Sequence, residues 1–576
     1  MKKHTFTVAD YLLTRLKQLD VTDVFQIPGD YVKNFTQALE HFKGIKTIGA
    51  TNELDASYAA DAYARTRGLS AVSLQYGVST FSALNAVAGA YVESSPVVVI
   101  SATPGSNDRK IGSMYDVLYH HSTGNLKADR EIYDHVTVKA ITLSTSVGAA
   151  KKIDDLIIAA ITHKKPVYIA AYSEVWGEPC RRPSKRRLKP RILRSKKRAL
   201  QNAVDQAWSM ITSAKQPMIF AGVEVLRFGL SDLLQEIIDA SGFVYTTTSL
   251  GKTVLDEGGD QFVGTYSDAA SITNVVDYVK ASDCFLTVGA LITDDYLWFV
   301  ENKYSDMIIS TSKEMRAGYY TYDEVTMKDF MEAILERFIE SDAYPLNNKA
   351  PEQPKYPEPW KSSSDAKYND DPEKITFNRF FQYTTKHIEE NNLWDHINLI
   401  FGVSSAMYVA TNIYGMKQGS YISSAAWQCI GFETGAASGA QLGSGKQSWT
   451  IAGDGGFMMV CQALSTLKFH KVNSVIFVMS NQVYAIEQVF VDVDAFCPHG
   501  KFDKFDDLAN WDYLALAKAY GAHGYRAKNV TELNKVLNKI KDTETDKPTL
   551  VEVVIPRKDL AGQMKNLTPQ VMNCNN

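Results

Sequence analysis

Two rhythms of apolar and polar positions run along the chain. Around Asp10–Leu19 the apolar side chains recur at helical spacing, and Glu53–Ala64 is an alanine-rich run of helical character. Between such stretches stand short, continuous apolar blocks at Val24–Ile27, Ala71–Leu74, Val97–Ile100 and Val167–Ala170. Blocks of this length read as buried strands, and their alternation with helices predicts a parallel sheet wrapped by helices. The rhythm returns at Met218–Ala221, Val244–Thr246 and Cys284–Val288, and again near Ser448–Ala452, Ser474–Met479 and Leu550–Val554. The expected fold class is α/β, in three domains of parallel sheet flanked by helices. Both outer units have this pattern, which is compatible with a shared fold.

Composition places the breaks. Gly177–Arg198 gathers eleven Lys/Arg among Ser and Pro breakers, and Ser341–Pro372 holds six prolines, the make-up of a linker laid over a surface. The expected division is a domain over 1–180, a basic linker 181–199, a central domain 200–340, a Pro-rich linker 341–372 and a third domain 373–576. A chain of 576 residues is too long for one core, and 45% hydrophobic residues supply several. A formal net charge of −4 gives no global pull towards nucleic acid or membrane. The basic run lacks interleaved aromatics, which favours a solvated linker over a nucleic-acid contact. Six widely spaced cysteines without a CxxC pair suit reduced thiols. The N-terminal residues show no apolar leader and no apolar run approaches a membrane span, so a cytoplasmic protein is expected.

The densest chemistry lies in Thr450-Ile-Ala-Gly-Asp-Gly-Gly-Phe, with Asn481 standing 27 positions after Asp454. Ile451–Ala452 reads as a strand end, Gly453-Asp454-Gly455-Gly456 as a tight turn and Met458–Phe469 as a helix. Glycines let a phosphate approach the backbone, and a helix start offers free N–H groups. Asp454 puts a hard carboxylate at the C-terminal edge of the sheet, and the strand Val475–Met479 brings Asn481 to the same edge. One carboxylate, one amide oxygen, a backbone carbonyl and two diphosphate oxygens nearly complete the octahedron that magnesium requires. Alone, Gly-Asp-Gly is better explained as an ordinary surface turn. The flanking strand, helix, second strand and Asn give it the metal reading.

Gly453-Asp454-Gly455 through Asn481 resembles the thiamine diphosphate signature, with Ser480 where the first of two asparagines is usual. The resemblance implies Asp454, Asn481 and the backbone carbonyl of Val483 as magnesium ligands, with Gly453, Gly455, Gly456 and Ser404 beside the diphosphate. The segment from Asn52-Glu53 to Arg67-Gly68 resembles the family's pyrimidine-binding segment over its whole length. By that likeness Glu53 hydrogen-bonds the cofactor's pyrimidine and promotes the imino form that removes the C2 proton. A first-turn glutamate complementing the helix dipole is the plainer reading. Trp427-Gln-Cys-Ile-Gly-Phe resembles the segment under the bent cofactor and nominates Ile430, which reads equally as a core residue.

Ile27-Pro28-Gly29-Asp30, Tyr119-His120-His121 and Tyr484-Ala-Ile-Glu487 resemble catalytic segments of the pyruvate decarboxylase and indolepyruvate decarboxylase family. Singly, Asp30 reads as a helix cap, the histidines as a solvated pair and Glu487 as helix surface. Together with both cofactor motifs, in the family's order, they imply a thiamine diphosphate- and magnesium-dependent enzyme that decarboxylates a 2-oxo acid to an aldehyde. Loss of carbon dioxide leaves an enamine that needs acid–base groups titrating near neutrality. The resemblance assigns protonation and release to Asp30 and His121, support to His120, and the substrate carboxylate to Glu487. It covers essentially the whole chain and implies a homodimer or homotetramer with active sites between chains. Three departures stand out. Asp295 lies near a position where relatives carry an aromatic residue, Ala485 is small beside Glu487, and Phe401-Gly402-Val403-Ser404 replaces a more polar segment. Asp295, Ala485 and Trp427 are assigned to the substrate pocket. A carboligase of the acetolactate-synthase kind shares cofactor and fold, but such relatives lack the His-His pair and usually bind a flavin. No GxGxxG is present, and no flavin is expected. Nucleic-acid binding through the basic linker is the alternative from another class.

Overall fold

The computed structural model describes residues 5–268, 270–351, 371, 373–561 and 564–574. The first sheet is built from β1 (Asp23–Gln26), β2 (Lys46–Gly49), β3 (Ser70–Ser73), β4 (Val97–Thr103), β5 (Ala140–Leu143) and β6 (Val167–Tyr172). Its order is β2-β1-β3-β4-β6-β5, and every neighbouring pair is parallel. β4 lies at its centre with all seven residues buried, which suits a block rich in β-branched side chains.

The central sheet contains β7 (Pro217–Ala221), β8 (Val244–Thr248), β9 (Phe262–Tyr266), β10 (Cys284–Val288), β11 (Met307–Ser310), β12 (Met315–Ala317) and β13 (Tyr320–Thr321). Its order is β13-β12-β11-β10-β7-β8-β9, with β12 and β13 added antiparallel at one edge. The third sheet contains β14 (Ile397–Phe401), β15 (Tyr421–Ser423), β16 (Gln447–Gly453), β17 (Val475–Ser480), β18 (His523–Ala527) and β19 (Thr549–Val554). Its order, β15-β14-β16-β17-β19-β18, repeats that of the first sheet strand for strand. The two outer domains share one topology, and the expected α/β class holds throughout.

The outer domains meet through two helices, Glu53–Arg67 and Phe432–Ser444. Gly435, Gly439 and Gly443 recur every fourth residue and so share one face. A β-carbon on Gly439 would lie 1.7 Å from the carbonyl oxygen of Ala59, so only glycine permits this approach. A buried ionic set locks the contact. Arg65 pairs with Asp61 and Glu93, donates to the Ser423 carbonyl, and Glu93 accepts the N–H groups of Ala426 and Trp427. Removing one partner of such a set costs about 3–5 kcal/mol, because the remaining charge is left buried and unpaired.

Several local expectations are corrected. The first helix starts at Val8 rather than Asp10, since Thr7 and Asp10 close a reciprocal capping box ahead of it. Gly453–Gly456 is not a separate turn. The helix Asp454–Val460 begins at the aspartate itself, and a second helix, Ala463–Phe469, follows after a break. The reduced-thiol reading fails for one pair: Cys497 and Cys574 form a disulfide, with Cα atoms 5.2 Å apart. A separation of 77 residues gives no spacing signal by which sequence alone would join them.

The basic stretch runs without helix or strand over 181–196, and the expected linker ends early, because the helix Lys197–Ser213 of the central domain already begins within it. Arg15 donates to the carbonyls of Ser184 and Arg186, and the Arg191 N–H donates to the Thr162 hydroxyl. Most of the Pro-rich stretch at 341–372 lies outside the described residues. No helix among the described residues is long and apolar enough to cross a membrane.

Candidate active site

In both outer sheets the strand order reverses between the first and third strands, and ligands of such sheets gather at that carboxyl edge. The sequence has loaded both edges with chemistry.

In the first domain, Asp30 follows β1, Glu53 follows β2 and Gln75-Tyr76-Gly77 follows β3. The Gln75 amide donates to Asp30 Oδ1 at 2.7 Å, and the Ser79 hydroxyl donates to Glu53 Oε1 at 2.7 Å. The Tyr76 hydroxyl donates to the His120 carbonyl. The His121 ring lies 6.0 Å from Tyr76 and 6.2 Å from His120, centroid to centroid. Gly77 has φ 69°, and a β-carbon there would lie 1.9 Å from the His121 carbonyl oxygen, so glycine lets the histidine loop settle on this edge. Asp30, His120 and His121 are exposed, and Glu53 is half-buried. Asp30, Glu53 and the two histidines thus share one edge.

In the third domain a cleft of about 480 Å³ opens at the equivalent edge. Ser404, Ile430, Gly453, Asp454, Gly455, Gly456, Asn481, Val483, Ala485, Glu487 and Asp295 all line it. Asp454 is buried at the start of its helix, and burial raises its carboxyl to about 6. The N–H groups of Gln482, Gly455 and Asn481 oppose that shift by bonding to its two oxygens. Asn481 is buried, and its side-chain oxygen accepts the Val483 N–H at 3.3 Å. On either side of the Val483 carbonyl, the Tyr484 N–H donates to the Asp506 carbonyl and the Gln482 carbonyl accepts the Leu508 N–H. Asp295 accepts from the Gln428 amide at 2.6 Å, and burial, then neighbouring Asp294, raises its carboxyl above the usual range.

Trp427 departs from its assignment. It does not line the cleft. Its indole N–H needs a partner and finds Asn85 Oδ1 at 2.9 Å, on the helix Val78–Val92 of the first domain. Sequence reasoning missed Gln75, Ser79 and Gln428. The first two follow the strand Ala71–Leu74 directly, so their place at a sheet edge was the available signal.

Asp454, Asn481 and Val483 offer a carboxylate, an amide oxygen and a carbonyl oxygen, the hard donors that magnesium takes. No cluster of three His, Cys, Asp or Glu placed to hold a metal exists among the described residues. Three family models match the chain in sequence. Residues 6–127 match the thiamine pyrophosphate enzyme N-terminal TPP binding domain, 204–329 its central domain and 402–553 its C-terminal TPP binding domain. Together they cover more than two-thirds of the 576 residues. The chain belongs to the thiamine pyrophosphate enzymes. Its cofactor is therefore thiamine diphosphate, and both binding domains of this thiamine pyrophosphate enzyme are the ones whose edges carry the residues above. A protein named pyruvate decarboxylase from Aspergillus fumigatus is 28% identical over 97% of this chain and 95% of its own length. A putative pyruvate decarboxylase of Schizosaccharomyces pombe is 27% identical over 96% of each. An alpha-keto-acid decarboxylase of Mycobacterium leprae is 28% identical over 99% of this chain and 96% of its own length.

Proposed function

We propose that this chain decarboxylates a 2-oxo acid to an aldehyde and carbon dioxide, without oxidation, using thiamine diphosphate and magnesium. One observation carries the reading: the acid–base groups Asp30, His120 and His121 gather on the sheet edge that also presents Glu53. Likeness over nearly the whole length to proteins named for 2-oxo acid decarboxylation supports it.

Bound thiamine diphosphate supplies a carbon nucleophile and an electron sink for the electrons released with carbon dioxide. Asp454, Asn481 and the Val483 carbonyl would hold magnesium. Ile430, on the cleft wall, would pack against the bound cofactor. Glu53, whose Oε1 accepts the Ser79 hydroxyl, would hydrogen-bond the pyrimidine of the bound cofactor. Asp30, oriented by Gln75, and His121 deliver the proton that completes the product, with His120 in support. Glu487 acts on the substrate carboxylate. Ala485 leaves room for a side chain larger than a methyl, and Asp295 with Gln428 makes one wall of that space polar.

The working unit is a homodimer, or a tetramer of two such dimers, with each site built from two chains. The third-domain cleft takes its lining from the central and third domains alone, while the first-domain edge faces outward. Large apolar side chains stand exposed beside both: Val78, Met114, Tyr115 and Leu118 near one, Met459 and Phe490 near the other. Such patches mark contacts, and a two-fold pairing covers both edges at once.

The test is a panel of pyruvate, branched-chain and aromatic 2-oxo acids, incubated with the purified chain, cofactor and magnesium. Carbon dioxide and aldehyde are expected in equal amounts, and neither after both cofactors are stripped. Release of carbon dioxide with a condensed hydroxyketone as the main product would make the chain a carboligase instead.

A further inference from the structure

Cys497 and Cys574 are bonded, while Cys180, Cys284, Cys429 and Cys461 remain free thiols. A chain of 576 residues with several large cores does not need a covalent staple, and one bond beside four free thiols is not a disulfide framework. Its place in the fold points to another use. The helix Ala485–Val491 presents Ala485, Ile486, Glu487 and Phe490 to the third-domain cleft. The turn Met564–Leu567 contacts that same helix, with Met564 buried in the apolar cluster that holds Val489, Val493 and Phe496, and Leu567 and Met572 against it. Residues 564–574 therefore back the helix that carries Glu487. Gln570 accepts the Val493 N–H at 3.3 Å and donates to Asp492 Oδ1 at 3.5 Å, and the Asn573 N–H donates to Asp494 Oδ1 at 2.7 Å. Cys497 follows the turn Val493–Phe496, and the Lys558 ammonium donates to the carbonyls of Cys497, Pro498 and Gly500, so this end of the bond is fixed. Cys497 is buried and Cys574 half-buried, so an incoming thiol meets the Cys574 sulfur first.

We infer that Cys497 and Cys574 are a redox-modification site, a reversible thiol pair whose bond latches residues 564–574 across the helix that carries Glu487. Its effect on turnover rests on the reaction proposed above. The oxidant is a low-molecular-weight disulfide such as glutathione disulfide. The Cys574 thiolate attacks one of its sulfurs and expels one glutathione thiolate. The Cys497 thiolate then attacks Cys574 Sγ and expels the second. Two protein thiols and one glutathione disulfide become one protein disulfide and two glutathiones, which take up the two thiol protons. Reduced glutathione reverses both steps. Without the covalent tie, residues 564–574 keep their hydrogen bonds to Asp492, Val493 and Asp494 but open more often, and the helix behind Glu487 and Phe490 loosens with them.

The test equilibrates the full chain, with thiamine diphosphate and magnesium, in buffers of graded glutathione disulfide to glutathione ratio, and then alkylates its free thiols. Peptide mass spectrometry should find the Cys497–Cys574 cross-link rising with that ratio. Amide hydrogen exchange across 485–496 should be on the order of tenfold faster in the reduced form than in the oxidised form. The reduced form should also show a raised KM for its 2-oxo acid. Cys574→Ser should match the reduced form in every buffer, and if it fails to fold, reduced and alkylated wild type takes its place. Absence of the cross-link at every ratio would overturn the proposal. So would equal exchange across 485–496 in the oxidised, reduced and C574S forms, or a KM indifferent to the redox state. No decarboxylation in any buffer, with the exchange difference present, would instead overturn the proposed function and uphold the latch.

Discussion

At the scale of residues, Glu53 and Asp55 are neighbours with opposite settings. Asp55 is buried, accepts from the Thr466 hydroxyl of the third domain, and has its carboxyl raised by burial. Glu53 is half-buried and held by Ser79 alone among the described residues, which leaves a carboxyl oxygen to meet a ligand. Glu53→Gln keeps the shape and loses the transferable proton. Calorimetry should find thiamine diphosphate affinity within a few-fold of wild type, while kcat falls by about 100-fold or more. Near-normal turnover would remove Glu53 from its role. Ala485→Val tests the pocket in the same spirit: it should lower kcat/KM for branched-chain and aromatic 2-oxo acids relative to pyruvate, and an unchanged ratio would remove Ala485 from the pocket. Motif residues of this kind were legible because each sits in a local run with its own strand and turn. Their partners were not. Gln75 with Asp30 and Gln428 with Asp295 join positions 45 and 133 residues apart, and only the folded sheet edge brings them together.

At the scale of elements, continuous apolar blocks gave the central strands well, because parallel strands buried on both faces leave no polar alternation to misread. Ends were read less well. The helix at Asp454 starts inside what looked like a glycine turn, since an aspartate in the first turn suits a helix N-terminus as readily as it suits a turn. The glycine face of Phe432–Ser444 was invisible without its partner helix. Its consequence is measurable. Gly439→Ala adds helix propensity but drives a methyl into the Ala59 carbonyl, so thermal or urea denaturation should show a loss of at least about 1–3 kcal/mol. Unchanged or raised stability would mean that the two helices separate at no cost.

At the scale of the molecule, one topology is used twice, and each copy carries half of the chemistry at its strand-order reversal. The first presents Glu53, Asp30, His120 and His121, the second Asp454 and Asn481, to which the proposed function gives the metal and the diphosphate. Alternation of helix and strand made the three sheets legible, but the proposed facing of the two edges would depend on contacts between chains, which no pattern along one chain encodes. Complementation between two inactive chains tests the shared site directly. Chains carrying Glu53→Gln and chains carrying Asp454→Ala are each expected to be inactive. After joint dissociation and reassociation, a mixed dimer contains one site with an intact Glu53 from one chain and an intact Asp454 from the other. Random mixing should restore about a quarter of wild-type activity. Activity no higher than that of the unmixed parents, with mixed dimers verified in the sample, would contradict a site shared between two chains.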